Sequence, residues 1–140
     1  MSNPTDGDIR EINRKTIEEF RAHKGGGPFE GRALLILTTR GRVTGRPHTT
    51  PMMYVLEGDH LLVMASAAGA PEDPEWFRNL LKTPEVTVEV GDQVYIATAR
   101  PTEGAEYDAL WSQIKKNFPF FSEHEKAAGR KIPVVALERN

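Results

Sequence analysis

Val86-Thr87-Val88-Glu89-Val90-Gly91-Asp92-Gln93-Val94-Tyr95-Ile96-Ala97-Thr98-Ala99-Arg100 is the stretch that decides the fold. Val86, Val88 and Val90 alternate with Thr87 and Glu89, the period of a strand with one buried face. Gly91-Asp92 offers a tight turn, and the chain returns through Val94 to Arg100. Two such runs joined by so short a turn must pair antiparallel, because a parallel pair needs a long crossover.

Outward from this hairpin, Ala33-Leu34-Leu35-Ile36-Leu37 is a continuous apolar run and reads as a buried strand. A strand from about Thr49 to Leu56 turns at Gly58-Asp59 into His60-Leu61-Leu62-Val63-Met64-Ala65-Ser66, another hairpin. Pro133 to Leu137 supplies a last buried strand. A short helix starts near Pro74, carries Trp76, Phe77, Leu80 and Leu81 on one face, and ends at Pro84. Pro101-Thr102-Glu103 opens another helix, with Tyr107, Leu110, Trp111 and Ile114 as its apolar stripe and Pro119 as its breaker.

Ile9, Ile12, Asn13, Thr16, Ile17 and Phe20 fall at helical spacing over residues 8–23, and Gly25-Gly26-Gly27-Pro28 ends that helix in a joint. Packing on the core is the simpler expectation for it; a movable flap over a site is the alternative. Residues 1–27 thus read as an N-terminal helix and glycine-rich joint, and residues 28–140 as one barrel domain. About six strands and three helices make the class α+β, mainly antiparallel β. A closed or partly open barrel with helices packed outside suits that order.

Composition removes whole classes of function. With 140 residues, 39% hydrophobic and 27% charged, the chain has the make-up of an ordinary globular domain. A formal charge of −2 argues against general nucleic-acid binding, which needs a broadly basic face. Without cysteine there is no disulfide, thiolate metal site or cysteine nucleophile. His23, His48, His60 and His124 are scattered, with no HxxxH or HxH spacing, so no metal site is expected. No GxSxG elbow exists to support a serine hydrolase. No run approaches the roughly 20 apolar residues of a membrane span. Met1 to Asp8 is polar and acidic, the wrong chemistry for a signal peptide. A cytoplasmic protein without stable membrane insertion is expected, a peripheral contact with a membrane staying open.

Against that near-neutral background, residues 32–56 hold four arginines, one histidine and no acid. Thr38-Thr39-Arg40-Gly41-Arg42-Val43-Thr44-Gly45-Arg46-Pro47-His48-Thr49-Thr50-Pro51 lies between two strand-like runs. Gly41 and Gly45 permit close backbone approach, Arg40, Arg42 and Arg46 offer forked donors, and the threonines add hydroxyls. The strand–loop–strand setting excludes a Walker A loop. What remains is an anion site or a solvated basic turn.

Two other segments carry chemistry. Ser66-Ala67-Ala68-Gly69-Ala70-Pro71, ahead of Pro74-Glu75-Trp76-Phe77-Arg78-Asn79-Leu80, lets a flat ring approach the backbone; the alternative is a plain connection with Trp76 as a packing residue. Asn117-Phe118-Pro119-Phe120-Phe121-Ser122-Glu123-His124 provides an apolar pocket wall or a hydrophobic lid, with His124 the nearest group titrating near neutrality.

In combination these blocks resemble the deazaflavin (coenzyme F420)-dependent nitroreductase family of actinobacteria. The resemblance runs over about residues 15 to 139, through Leu34 to Gly45, Pro51, Tyr54, Ala65 to Ala70, Pro74 to Leu80 and Arg130 to Glu138. It implies a split β-barrel similar to flavin-mononucleotide-binding proteins, and reduced F420 as hydride donor. That cofactor carries a phosphate and a polyglutamate tail. By position, Thr38, Arg42, Val43, Thr44, His48 and Pro51 would surround the phosphate and the deazaflavin edge, with Arg40 and Arg46 adding charge. Ser66, Ala67, Trp76 and Asn79 would border the ring and tail. Val43 stands where the family commonly has lysine, Ala67 where some members have another, and His48 replaces a frequent arginine. Phe118, Phe121 and His124 stand where the best-known members have tyrosines, so the substrate pocket should be more apolar.

The expectation is therefore a cytoplasmic reductase passing a hydride from F420H2 to an unsaturated apolar small molecule: an enone, quinone, lactone or nitro compound. Ser66, Tyr54 and His124, in that order, are candidates to polarise the acceptor or supply a proton. The rivals are the same barrel holding flavin mononucleotide (FMN), and a non-catalytic binder of an apolar anion such as a fatty acid. Monomer and homodimer both fit.

Overall fold

The computed structural model describes residues 6–140; the reading of the first residues as no signal peptide falls up to Thr5 outside the described residues, as does the side chain of Ile9. Six strands form: β1 (Leu34–Arg40), β2 (Pro47–Glu57), β3 (His60–Met64), β4 (Glu85–Val90), β5 (Gln93–Pro101) and β6 (Val134–Arg139). They close into a barrel in the order β1-β2-β3-β6-β5-β4, every pair antiparallel. The helices are α1 (Asp6–His23), α2 (Glu75–Lys82), α3 (Gly104–Asn117) and α4 (Phe120–Ala128). The α+β antiparallel barrel expected from the sequence is thus the observed fold, in its closed form.

α4 corrects the expected helix count. The phenylalanine-rich segment is regular, because the proline that breaks α3 also starts its successor. Pro119 lacks the N–H that α3 would need, yet its φ of −57° suits a helix entrance. Gly129, at φ 62°, closes α4 in the left-handed conformation.

Alternation decides what is inside. Leu35, Leu37, Val63, Val86, Val88, Ala97, Ala99, Val135 and Leu137 fill the barrel, and α2 plugs one end with Trp76, Phe77 and Leu80. The opposite residues of the same strands need cover from helices. α1 supplies it over β1, where Phe20 and Phe29 meet edge-on at 5.6 Å against Ile36. Arg21 pairs with Glu89 at 2.8 Å, and Gly25 lies so close to Gly91 that a Cβ would fall 2.5 Å from its carbonyl oxygen. α3 and α4 cover Leu62, Met64, Val134 and Ala136 with Tyr107, Trp111, Ile114 and Phe121.

α1 also runs against β2, and Met53 and Val55 pack toward α3 and α4, yet these covers leave β2 incompletely buried. Leu35 to Leu37 of β1 and Leu61 to Met64 of β3 are buried, yet every residue from Thr49 to Val55 between them is only half-buried. β2 is thus the least buried of these three strands, and Tyr54 to Leu56 line a cleft.

Candidate functional site

Strand direction gathers the site. The end of β1, the start of β2, the end of β3 and the starts of β4 and β6 all lie at the barrel end that α2 plugs. The basic loop, the Ser66–Asp73 segment and Arg130 to Pro133 therefore share that end.

The basic loop is a built structure. Gly41 N–H donates to Arg46 O and Gly45 N–H to Gly41 O, both at 2.8 Å, and Arg46 N–H donates to Thr44 Oγ1 at 3.2 Å. Gly45 has φ 74°, which glycine adopts without steric cost. Asn79 of α2, 2% exposed, ties the loop down: Oδ1 accepts from Arg42 N–H at 3.0 Å, and Nδ2 donates to Thr39 Oγ1 at 3.1 Å. Thr39 passes its own proton toward His48 O at 3.4 Å, and Lys82 Nζ donates to Arg42 O at 2.9 Å. The Arg42 guanidinium lies 3.3 Å from Glu75.

This leaves the arginines presented differently. Arg40 and Arg46 are exposed and, among the described residues, form no ion pair; those at this end belong to Arg42, Arg78 and Arg130. Arg42 Nε is buried without an acceptor. Donors outnumbering acceptors in this way fit a phosphate or a carboxylate-rich tail. Thr38 and Thr49 share a hydrogen bond at 3.1 Å on the outer face, beside Pro51. Val43 is 81% exposed at the loop tip, where its isopropyl group offers an anion nothing. His48 is exposed nearby.

The second wall is Ser66 to Ala70. Ala67, Ala68 and Gly69 follow one another at φ 48°, 55° and 89°. α4 packs against this turn so tightly that a Cβ on Gly69 would meet Ala127 Cβ at 3.0 Å and His124 O at 3.4 Å. The His124 backbone thereby comes beside Gly69, its ring against Phe120 at 5.5 Å and Phe121 at 5.7 Å. Its Nδ1 is buried without a partner. Phe118 extends the aromatic row at 6.1 Å from Phe120 and helps line a cleft of about 510 Å³ with Phe29, Leu34 and Val55.

Several expected ligand contacts are placed elsewhere. Tyr54 belongs to the inward set of β2, against the barrel interior toward the other barrel end, and lines the cleft with Phe118 rather than standing at the Ser66 end. Trp76, 7% exposed, stands edge-on to Phe77 inside the barrel mouth, and Asn79 has both amide groups engaged and holds the loop from beneath. Phe121, 4% exposed, packs on Trp111 at 5.9 Å in the core, which leaves Phe118 and Phe120 as the accessible rings. Arg130 and Lys82, which the sequence reading did not single out as candidates, bind the carbonyls of these loops. The only sequence signal was a pair of cations, Arg130-Lys131, just before a buried strand. Among the described residues no cluster of acids and histidines could hold a metal, and no helix is long and apolar enough to cross a membrane.

Comparison with known proteins gives the chain its family. The F420H(2)-dependent quinone reductase family matches residues 10–139. An F420H(2)-dependent quinone reductase of Mycobacterium tuberculosis is 35% identical over 108 residues, 75% of this chain and 72% of that protein. The structure of an F420-H2 dependent reductase, FDR-A, superposes with a TM-score of 0.68 at 33% identity, over 76% of this chain and 95% of that one. A second structure, described as a domain-swapped dimer, gives 0.70 at 29% identity, over 89% and 96%. Of the two cofactors considered, F420 is therefore the one that applies, and a purely passive binding role is set aside. The chain is an F420H2-dependent oxidoreductase and belongs to the F420H(2)-dependent quinone reductase family.

Proposed function

We propose that this enzyme reduces an apolar quinone, or a similarly conjugated carbonyl compound, on the open outer face of β2. The observation that carries the reading is that half-buried strand, bounded by a basic loop at one end and by the Phe118–His124 wall alongside. When bound, F420H2 supplies a hydride, and a quinone that gains a hydride and a proton becomes a hydroquinone.

The chain's own residues do the rest. Arg40, Arg46 and the Arg42 guanidinium would hold the anionic part of the cofactor, with Thr38 and Thr49 hydroxyls nearby. Ser66 and Ala67 border the ring, and Phe118 and Phe120 orient the acceptor and exclude water. Ser66 and His124, the latter with a partnerless Nδ1, would be the groups to hold a proton against a developing oxyanion. Tyr54 shares the Phe118 cleft and would meet the acceptor there rather than at Ser66.

The test is anaerobic mixing of the protein with F420H2 and equal concentrations of a simple quinone, an enone, an unsaturated lactone and a nitroarene. Return of the oxidised cofactor's absorbance fastest with the quinone supports the reading. Tight F420 binding with no turnover of any quinone overturns the substrate assignment.

A further inference from the structure

Arg130 lies far along the chain from the loop it serves, and its side chain is only 15% exposed. Its Nε donates to Ala70 O at 3.1 Å. Nη2 donates to Ala65 O at 3.2 Å and Ser66 O at 3.3 Å. Nη1 reaches Asp73 Oδ1 at 2.8 Å and Lys131 O at 3.3 Å. One guanidinium thus gathers the carbonyls on both sides of a five-residue turn.

That turn is strained. Ala67 and Ala68 both sit at positive φ, where a Cβ crowds the backbone, and such residues persist only when their surroundings hold them. The turn's own bonds, Gly69 N–H to Ser66 O and Ala70 N–H to Ala67 O, are those of a single tight loop. On its other side it meets α4 at Gly69. The planar fork of Arg130 is the element that binds several carbonyls at once, which an ammonium cannot reproduce.

We infer that Arg130 is a positioning residue of the reductase: its fork holds Ser66–Ala70 in a strained conformation that sets Ser66 and Ala67 against the cofactor cleft. The inference rests on that turn bordering the F420 site. Without the guanidinium, three carbonyls lose a charged donor and the two alanines relax toward negative φ.

F420 affinity, measured by fluorescence on folded protein, tests this with Arg130→Ala, Arg130→Lys, and Arg130→Ala combined with Ala67→Gly and Ala68→Gly. Both single variants should bind F420 about tenfold more weakly. The glycine pair should recover most of the loss, because glycine adopts positive φ without help. Added guanidinium ion at non-denaturing concentration should improve binding to Arg130→Ala alone. A lowered melting temperature with unchanged F420 affinity overturns the inference, and so does failure of the glycines to rescue. If Arg130→Ala does not fold, wild-type affinity in Arg130→Lys overturns it. Should the wild-type protein itself not bind F420, the site assignment fails instead. Amide exchange across residues 66–70 without cofactor then judges Arg130: faster exchange in Arg130→Lys supports it, and unchanged exchange overturns it.

Discussion

Asn79 and Arg42, far apart in sequence, are joined by a 3.0 Å hydrogen bond from the Arg42 backbone N–H to the Asn79 amide oxygen. The other end of the same amide donates to Thr39. A buried side chain from α2 thereby sets the conformation of a surface loop whose guanidinium groups face outward. The loop's shape and its charge come from different parts of the chain.

Asn79→Ala should leave Thr39 Oγ1 and the Arg42 N–H short of partners and cost about 1–3 kcal/mol of stability. F420 affinity should fall with it, although Asn79 need not touch the cofactor. Urea unfolding and F420 titration of the same preparation measure both; stability lost with affinity unchanged would separate the loop from the site.

Arg40→Gln and Arg46→Gln should behave in the opposite way. Both side chains are exposed and form no ion pair among the described residues, so melting should barely move. Each should weaken F420 binding by about two- to fivefold, as expected of solvated charge contacts. The difference from wild type should shrink as salt rises, because exposed charges are screened. Titrations at low and high salt check this.

Phe118→Ala and Phe121→Ala should divide acceptor handling from folding. Phe121 is buried against Trp111, and its removal should cost about 3–5 kcal/mol. Phe118 is half-buried at the cleft, so its loss should mainly raise KM for apolar acceptors and leave F420 affinity intact. Steady-state kinetics with a quinone and an unfolding curve for each variant decide it.

Tyr107 predicts an alkaline limit to stability. Its hydroxyl donates to Ile132 O at 2.8 Å, and burial, aided by the charge of Glu125, pushes its pKa from 10.0 up to about 12. Below 10.0 the tyrosine is neutral in the folded and unfolded chain alike. Between 10.0 and about 12 the unfolded chain loses this proton more readily, so stability falls as pH rises through that window. Tyr107→Phe should be less stable near neutrality, by about 1 kcal/mol for the lost hydrogen bond, and should show a flatter decline. Denaturant midpoints across the alkaline range measure the slope.

The strands were legible because their signals are local. Val86 to Arg100 alternates around a two-residue turn, and Leu34 to Leu37 is apolar enough to be buried on both faces of a covered sheet. α4 was not legible. Its first turn holds Phe120 and Phe121 side by side, and a breaker precedes it, so no helical period stands out until packing on Trp111 selects one face. Arg42 and Arg46 read alike as sequence. Only the fold leaves the Arg42 Nε buried and Arg46 in solvent.

The sequence by itself determined an antiparallel α+β barrel, a basic loop between its first two strands, and membership of a deazaflavin-dependent family. Turn chemistry, alternation and residue type are properties of neighbours along the chain, so no tertiary knowledge is needed to read them. Only the tertiary structure decided that Tyr54 points into the barrel, that Asn79 supports the loop from beneath, and that Arg130 closes around Ser66 and Ala70. The physical reason is distance along the chain. A hydrogen bond or a buried face between residues far apart in sequence exists only once barrel closure brings their strands to the same end.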